Sequence, residues 1–109
     1  MKTRVIQDLL IVELKGRLDI HTNKGISDEI NDLVQKNQGM HFILDFSGVE
    51  YLSSSGMGLL VTLQRALEDR KHKLKLAALN HAVTRIFTAV GMLENFEVFD
   101  TVNAAIDSF

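Results

Sequence analysis

The apolar positions of the chain follow two alternating patterns. Between short apolar runs, hydrophobic residues recur at intervals of three and four, which is typical of one face of a helix. The runs themselves have the length of β-strands and lie at 5–6, 9–14, 41–45, 73–77 and 96–99. With a short terminal helix at 101–107, the order ββαβαβαβα predicts an α/β domain, a mixed central sheet with helices packed against it.

Polar residues and glycines mark the ends of the predicted elements. Gln7 and Asp8 separate the first two strands, and Gly16 is expected to end the second. Thr22 and Asn80 are expected to cap the first and third helices, while Gly39 and Gly91 lie beyond their ends. The three apolar stripes are Ile26, Ile30, Leu33 and Val34; Leu59, Leu60, Leu63 and Leu67; and Val83, Ile86, Phe87 and Val90.

The segment that leads into the second helix is the most informative part of the chain. In layered α/β folds, functional sites lie at strand ends, where loops enter helices. Residues 45–55 are predicted to form such a loop. It ends in three consecutive serines, Ser53, Ser54 and Ser55, and the helix that follows begins with Gly56 and contains Gly58.

The two glycines are expected to face opposite ways. At about 100° per residue, Gly56 shares the direction of the leucine stripe, where a missing side chain lets the helix approach the sheet closely. Gly58 points toward solvent, where nothing in the core rewards its cost of about 1 kcal/mol in helix propensity. An approaching partner would explain it. Met57 and Val61 point sideways and are expected to form a small exposed apolar patch.

The serines supply more hydroxyls than a helix cap needs. No capping box is formed, because Met57 and Gly56 stand three residues after Ser54 and Ser53. At least one hydroxyl is therefore expected to be free at the positive end of the helix dipole, where a phosphate would be tolerated. The residues alone also allow a plain polar turn with a cap.

A second candidate position lies between the second strand and the first helix. Asp19 and Thr22 are placed on an equivalent loop level to the serines. Either residue could simply cap the first helix. Alternatively, Asp19 lies near the serines and helps to position a phosphoryl donor or its metal ion.

Composition limits the remaining possibilities. A chain of 109 residues fits one domain, which we place at 1–109, and its net charge of −2 provides no bulk attraction for nucleic acid or anionic lipid. The absence of cysteine excludes disulfides and thiolate chemistry. We find neither an apolar run of membrane-spanning length nor a secretion signal, so a cytoplasmic protein is expected.

An enzymatic site is not supported by the sequence. The serines lack the preceding glycine of a nucleophile elbow. The histidines, His21, His41, His72 and His81, lie in different elements without metal-ligand spacing. We therefore expect no catalytic residue, no metal site and no cofactor.

Three motifs closely resemble the anti-sigma factor antagonist family, which has the STAS fold. They are Gly16-Arg-Leu-Asp19, then Leu44-Asp-Phe-Ser-Gly-Val-Glu-Tyr-Leu-Ser-Ser-Ser-Gly-Met-Gly-Leu-Leu60, and Ala82-Val-Thr-Arg-Ile-Phe87 running to Gly91-Met-Leu93. The resemblance extends over essentially the whole chain. Its middle motif is the specific one.

The resemblance implies a small bacterial regulator with no catalysis of its own. The unphosphorylated protein would bind an anti-sigma factor that is also a serine kinase, and would thereby free a sigma factor. Phosphorylation at the start of the second helix would release the antagonist, and a metal-dependent serine phosphatase would reset it. Neither nucleic acid nor membrane is an expected partner, and a monomer or weak dimer is expected.

By position in the family motif, the phosphorylated residue corresponds to Ser54, with Ser55 as the second choice. Family members typically have an aspartate directly before this serine, whereas this chain has Ser53. Asp19 matches the acid of the family's first loop. The expected partner-binding residues are Asp19, Ser53, Ser55, Gly56, Met57, Gly58 and Val61.

Two other functions remain open at this stage. The chain could be a non-switching STAS scaffold in a larger regulatory complex, with the serines reduced to a helix cap. The neutral Ser53 is the best argument for that alternative. A small serine hydrolase is the third hypothesis, and it would require a histidine to act as base.

Overall fold

The computed structural model describes residues 1–19 and 22–109, and it contains the predicted elements in the predicted order. The strands are β1 (Lys2–Ile6), β2 (Leu9–Leu18), β3 (His41–Leu52), β4 (Leu74–Ala77) and β5 (Glu97–Phe99). The helices are α1 (Asn23–Lys36), α2 (Ser54–Asp69), α3 (His81–Ala89) and α4 (Val102–Asp107), with a short 3-10 helix at Leu93–Asn95.

The five strands form one mixed sheet in the order β1-β2-β3-β4-β5. β1 and β2 are antiparallel, and the remaining neighbours are parallel. The tight connection between β1 and β2 places Gln7 at a left-handed φ of 54°. Each parallel connection passes through a helix, as parallel strands require. The α/β fold class predicted from the sequence is therefore confirmed.

Alternating strand residues bury the sheet on both faces. One face packs against α1, α2 and α3 and contains the larger core, with Phe42, Leu44 and Phe46 from β3 at its centre. The other face is smaller and packs against α4, where Ile43 meets Ala105. This division follows from the period of two along a strand, which sends neighbouring side chains to opposite faces.

Lys75 is buried on the α4 face, although the alternation of apolar and polar residues in β4 does not predict a role for it there. Its ammonium donates to the Ser108 hydroxyl at 2.7 Å and to the Ser108 carbonyl at 3.3 Å, and it lies 3.9 Å from the ring centre of Phe109. A buried ammonium needs such partners to offset its lost hydration. Lys75 therefore fastens the segment after α4 to the sheet.

Two strand ends differ from the prediction. β2 continues through Gly16 to Leu18, and β3 continues through most of the stretch predicted as a loop, to Leu52. The pairing of β2 with β3 is irregular at two places, and at each of them β3 has one residue more than β2. Gly16, which has a φ of 78°, lies at the second place. These bulges carry the pairing past residues that break the apolar alternation.

The helix caps were predicted with mixed success. The Asn80 side chain accepts from the Val83 N–H at 2.8 Å, and Gly91 has the left-handed φ expected after a helix. Thr22 occupies the cap position of α1, but its hydroxyl accepts no hydrogen bond from the helix. That hydroxyl instead donates to the Arg17 carbonyl at 2.6 Å, which ties the loop to the end of β2.

No helix in 1–19 and 22–109 is long and apolar enough to cross a membrane.

Candidate functional site

The start of α2 is fixed to the end of β2. The Ser53 N–H donates to the Leu18 carbonyl at 2.9 Å, directly before Asp19. The three serines therefore lie beside the beginning of the loop that leads to α1. This adjacency was expected from the sequence, and it follows from parallel strands whose carboxyl ends meet at one edge of the sheet.

Ser53 is the cap of α2. Its hydroxyl oxygen accepts from the Gly56 N–H at 3.2 Å and lies 3.1 Å from the Leu18 carbonyl, to which the hydroxyl donates. The Ser55 hydroxyl lies 2.9 Å from the hydroxyl oxygen of Ser53. Both flanking hydroxyls are therefore part of a half-buried network that holds the first turn.

Ser54 stands apart from this network. Its residue is exposed, whereas Ser53 and Ser55 are half-buried. Among the described residues, its side chain has no hydrogen-bond partner. The expectation of a free hydroxyl at the positive end of the helix is therefore confirmed for this part of the chain, and the free group belongs to Ser54.

Replacing Ser53 by alanine is expected to lower the free energy of unfolding by about 1–2 kcal/mol, because the change removes a helix cap and its bond to Leu18. Ser54→Ala removes neither and is the matched control, with an expected change within about 0.5 kcal/mol. Urea denaturation of both variants measures the difference. An equal loss of stability in the two variants would contradict the assignment of Ser53 as the cap.

The two glycines of the first turns lie as predicted. A Cβ at Gly56 would lie 2.6 Å from both the Leu18 carbonyl oxygen and Leu52 Cδ1, so α2 rests directly on the sheet at this point. A Cβ at Gly58 would meet no atom within 4 Å. Gly56 is required by packing, whereas Gly58 leaves open space on the exposed side of the first turns.

The prediction that Met57 and Val61 form an exposed apolar patch is wrong, because neither residue is exposed. Met57 is buried, with 6% of its surface exposed, and Val61 is partly buried against the same core. Met57 lines a cleft together with Ile86 and Val90 from the α3 region. Helical position alone gives the direction of a side chain but not the neighbour that covers it.

A cleft of about 210 Å³ lies where α2 and α3 meet, and the sequence did not reveal it. Ser54 and Met57 line it from α2, and Ile86 and Val90 from α3 and its end. Val90 belongs to the apolar stripe predicted for the third helix but is 50% exposed. Tyr51, Leu52 and Ser53 complete the lining.

The Asn80 amide donates to the Val49 carbonyl at 2.8 Å and thereby fixes α3 beside β3.

The loop before α1 carries the second candidate group. The Asp19 carboxylate accepts from the Thr22 N–H at 3.3 Å and from Arg17 Nε at 3.3 Å. The Arg17 guanidinium also lies 4.4 Å from the ring centre of Tyr51. Asp19 is thus held by its own loop, one residue after the carbonyl that anchors Ser53. His21, named among the histidines, lies outside the described residues.

In the part of the chain that the structure describes, no histidine is hydrogen-bonded to any of the three serines. His41 lies at the start of β3, the opposite end of the strand from Ser54, and contacts His72 with ring centres 5.0 Å apart. Its Nδ1 accepts from the Lys73 N–H at 2.9 Å, and burial lowers the pKa of His41 below 6.5. Within 1–19 and 22–109, no group of three or more acidic or histidine side chains could hold a metal ion.

This chain belongs to the STAS domain family, whose model matches residues 1–105. A relative named anti-sigma F factor antagonist, from Paenibacillus polymyxa, is 26% identical over 97 residues, which cover 88% of this chain and 83% of that protein. The match extends over both loops and both helices that form the site.

Solved structures share the fold over nearly the whole chain. The anti-sigma factor antagonist SpoIIAA of Bacillus, in its unphosphorylated form, superimposes with a TM-score of 0.81 at 23% identity, covering 98% of this chain and 93% of that chain. Its phosphorylated form gives a TM-score of 0.72, with 98% and 96% covered. A stressosome component gives 0.77 at 17% identity, with 98% and 94% covered.

Proposed function

We propose that this chain is an anti-sigma factor antagonist whose binding is switched by phosphorylation of Ser54. The observation that carries the proposal is the isolation of the Ser54 hydroxyl, which is exposed and unpaired within the described residues while both neighbouring serines are engaged. The names of the curated relatives support the role as antagonist.

The geometry favours Ser54 over Ser55 as the acceptor. The Ser55 oxygen lies 2.9 Å from that of Ser53, and its residue is half-buried. A kinase would have to break that contact and open the first turn. Ser54 requires neither change, and the N–H groups of the first turn provide a favourable field for its phosphate.

The neutral Ser53 is compatible with this switch. Its hydroxyl serves the helix as a cap, which is a role that an aspartate would also fill. The carboxylate of Asp19, one residue from the Ser53 anchor, remains to help position the donor or metal ion of a kinase. The protein itself has no catalysis in this proposal.

The expected partners follow from the role as antagonist. In its unphosphorylated form, the protein binds an anti-sigma factor with serine kinase activity and frees the sigma factor, and a metal-dependent phosphatase restores this form. Contacts are expected at Asp19, at the exposed side of Gly58, and at the first two turns of α2. We expect the protein to act in the cytoplasm as a monomer or weak dimer.

A non-switching scaffold is the second candidate function. The likeness to a stressosome component favours it, because that protein has the same fold within a larger assembly. In this alternative, the serine network serves only to cap α2. The two functions differ in whether Ser54 is modified in cells.

The role as antagonist is tested by release of a sigma factor. The purified protein is added to the complex of the host's anti-sigma factor with its sigma factor, and free sigma factor is measured by size exclusion. We expect release that saturates at about one equivalent, for wild type and for Ser54→Ala alike. No release at any concentration would contradict the proposed function.

A further inference from the structure

We infer that the cleft between α2 and α3 seats an apolar side chain of the anti-sigma partner, beside a partner carboxylate that binds Arg17. This inference rests on the proposed function, and it identifies the chemistry of the partner surface at that site. The sequence did not assign partner binding to Tyr51, Ile86, Val90 or Arg17.

The first observation is the distribution of exposed apolar side chains. Among the described residues, only a few large hydrophobic side chains are exposed: Met1, Val5, Tyr51, Val90 and Phe109. Two of them, Tyr51 and Val90, lie on the walls of one small cleft. Scattered single hydrophobic residues are ordinary on a protein surface, whereas a cluster around a concave site indicates binding.

The second observation is the shape and lining of the cleft. Its volume of about 210 Å³ suits one aliphatic or aromatic side chain. Met57, Ile86 and Val90 offer apolar contact, and the flexible thioether of Met57 can adjust to the shape of the occupant. A single apolar anchor in such a pocket is a common feature of protein interfaces.

The third observation gives the charge of the occupant. The Arg17 guanidinium lies 4.4 Å from the ring centre of Tyr51, and its Nε donates to Asp19. Within the described residues, the two terminal nitrogens of Arg17 have no hydrogen-bond partner, and its side chain is 58% exposed. A guanidinium close to an aromatic ring, with no partner on its two terminal nitrogens within the described residues, can bind a carboxylate in a bidentate arrangement.

The same cleft explains why Ser54 is an effective switch. Ser54 is exposed and lines the cleft together with Met57 and Val90. A phosphate there would keep water at the mouth of the cleft and would have the same sign of charge as the partner carboxylate. Entry of the apolar side chain would then require dehydration of a dianion, which is unfavourable.

The test compares two similarly exposed valines. Val90→Ser is expected to weaken binding of the purified host anti-sigma factor by about 5- to 20-fold, measured by titration calorimetry. Val5→Ser, the same change on the edge strand β1 where 59% of the residue is exposed, is expected to change binding by less than about 2-fold. Thermal unfolding of both variants verifies their fold.

Arg17→Gln tests the carboxylate and is expected to weaken binding by about 5- to 10-fold, with Arg65→Gln, an exposed arginine of α2, as its control. If Val90→Ser and Arg17→Gln bind like wild type while Ser54→Asp binds weakly, the cleft is not the docking site although the switch stands. If wild type does not bind the anti-sigma factor, the proposed function and this inference both fail.

Discussion

Replacing Gly56 by alanine is expected to lower the free energy of unfolding by about 2 kcal/mol and Tm by about 8–15 °C. The new methyl group would lie 2.6 Å from the Leu18 carbonyl oxygen and 2.6 Å from Leu52 Cδ1. Backbone cannot move aside as a flexible side chain can, so α2 must shift from the sheet. This strain outweighs the gain of about 1 kcal/mol in helix propensity.

Gly58→Ala is the matched control, two residues further along the same helix. A methyl group there meets no atom within 4 Å, so only the gain in helix propensity remains. We expect this variant to be more stable than wild type by up to about 1 kcal/mol. Calorimetric unfolding of both variants measures the contrast, and a Gly56→Ala variant as stable as Gly58→Ala would contradict the close packing of α2.

Phosphorylation of Ser54 is expected to weaken binding of the anti-sigma factor by about 100- to 1,000-fold, which corresponds to about 3–4 kcal/mol. The modification adds about 1.5 to 2 negative charges to an exposed first-turn hydroxyl. In a close interface that dianion is poorly compensated, and its dehydration opposes complex formation. Titration of the anti-sigma factor with fully phosphorylated and unmodified protein measures the ratio.

The fold is expected to remain unchanged in this switch. Ser54 makes no hydrogen bond within the described residues that phosphorylation would break, and the N–H groups of the first turn accommodate the charge. Amide chemical shifts should therefore change around residues 53–58 and hardly elsewhere. Shift changes spread through the sheet would indicate a conformational switch and would contradict this description.

The order and the layers of the fold could be predicted because each element has its own apolar period. β3 was underestimated because Ser47, Gly48 and Glu50 are exposed and interrupt that period, while two bulges preserve its pairing with β2. Strand pairing across a bulge depends on the neighbouring strand, which no local pattern contains. Thr22 stands at the predicted cap position, but for a similar reason its hydroxyl bonds the end of β2 rather than its own helix.

At the start of α2, the free hydroxyl and the environments of the two glycines could be predicted, but the shape of the surface could not. The surplus of hydroxyls indicated a free serine, and the wheel positions of Gly56 and Gly58 gave their opposite environments correctly. Which serine caps the helix depends on Leu18, far away in the sequence. The cleft is lined by residues of both α2 and α3, among which Met57 is buried and Val90 is exposed. The helical period of either element alone cannot show this.

The central claim is that Ser54 is the phosphorylated switch, and intact-mass analysis of the protein from its own cells tests it most directly. Wild type is compared with Ser54→Ala and Ser55→Ala, across growth and stress conditions. We expect a partial increase by one phosphoryl group in wild type and in Ser55→Ala, and none in Ser54→Ala. Wild-type protein that stays unmodified under every condition would contradict the switch and favour the constitutive scaffold.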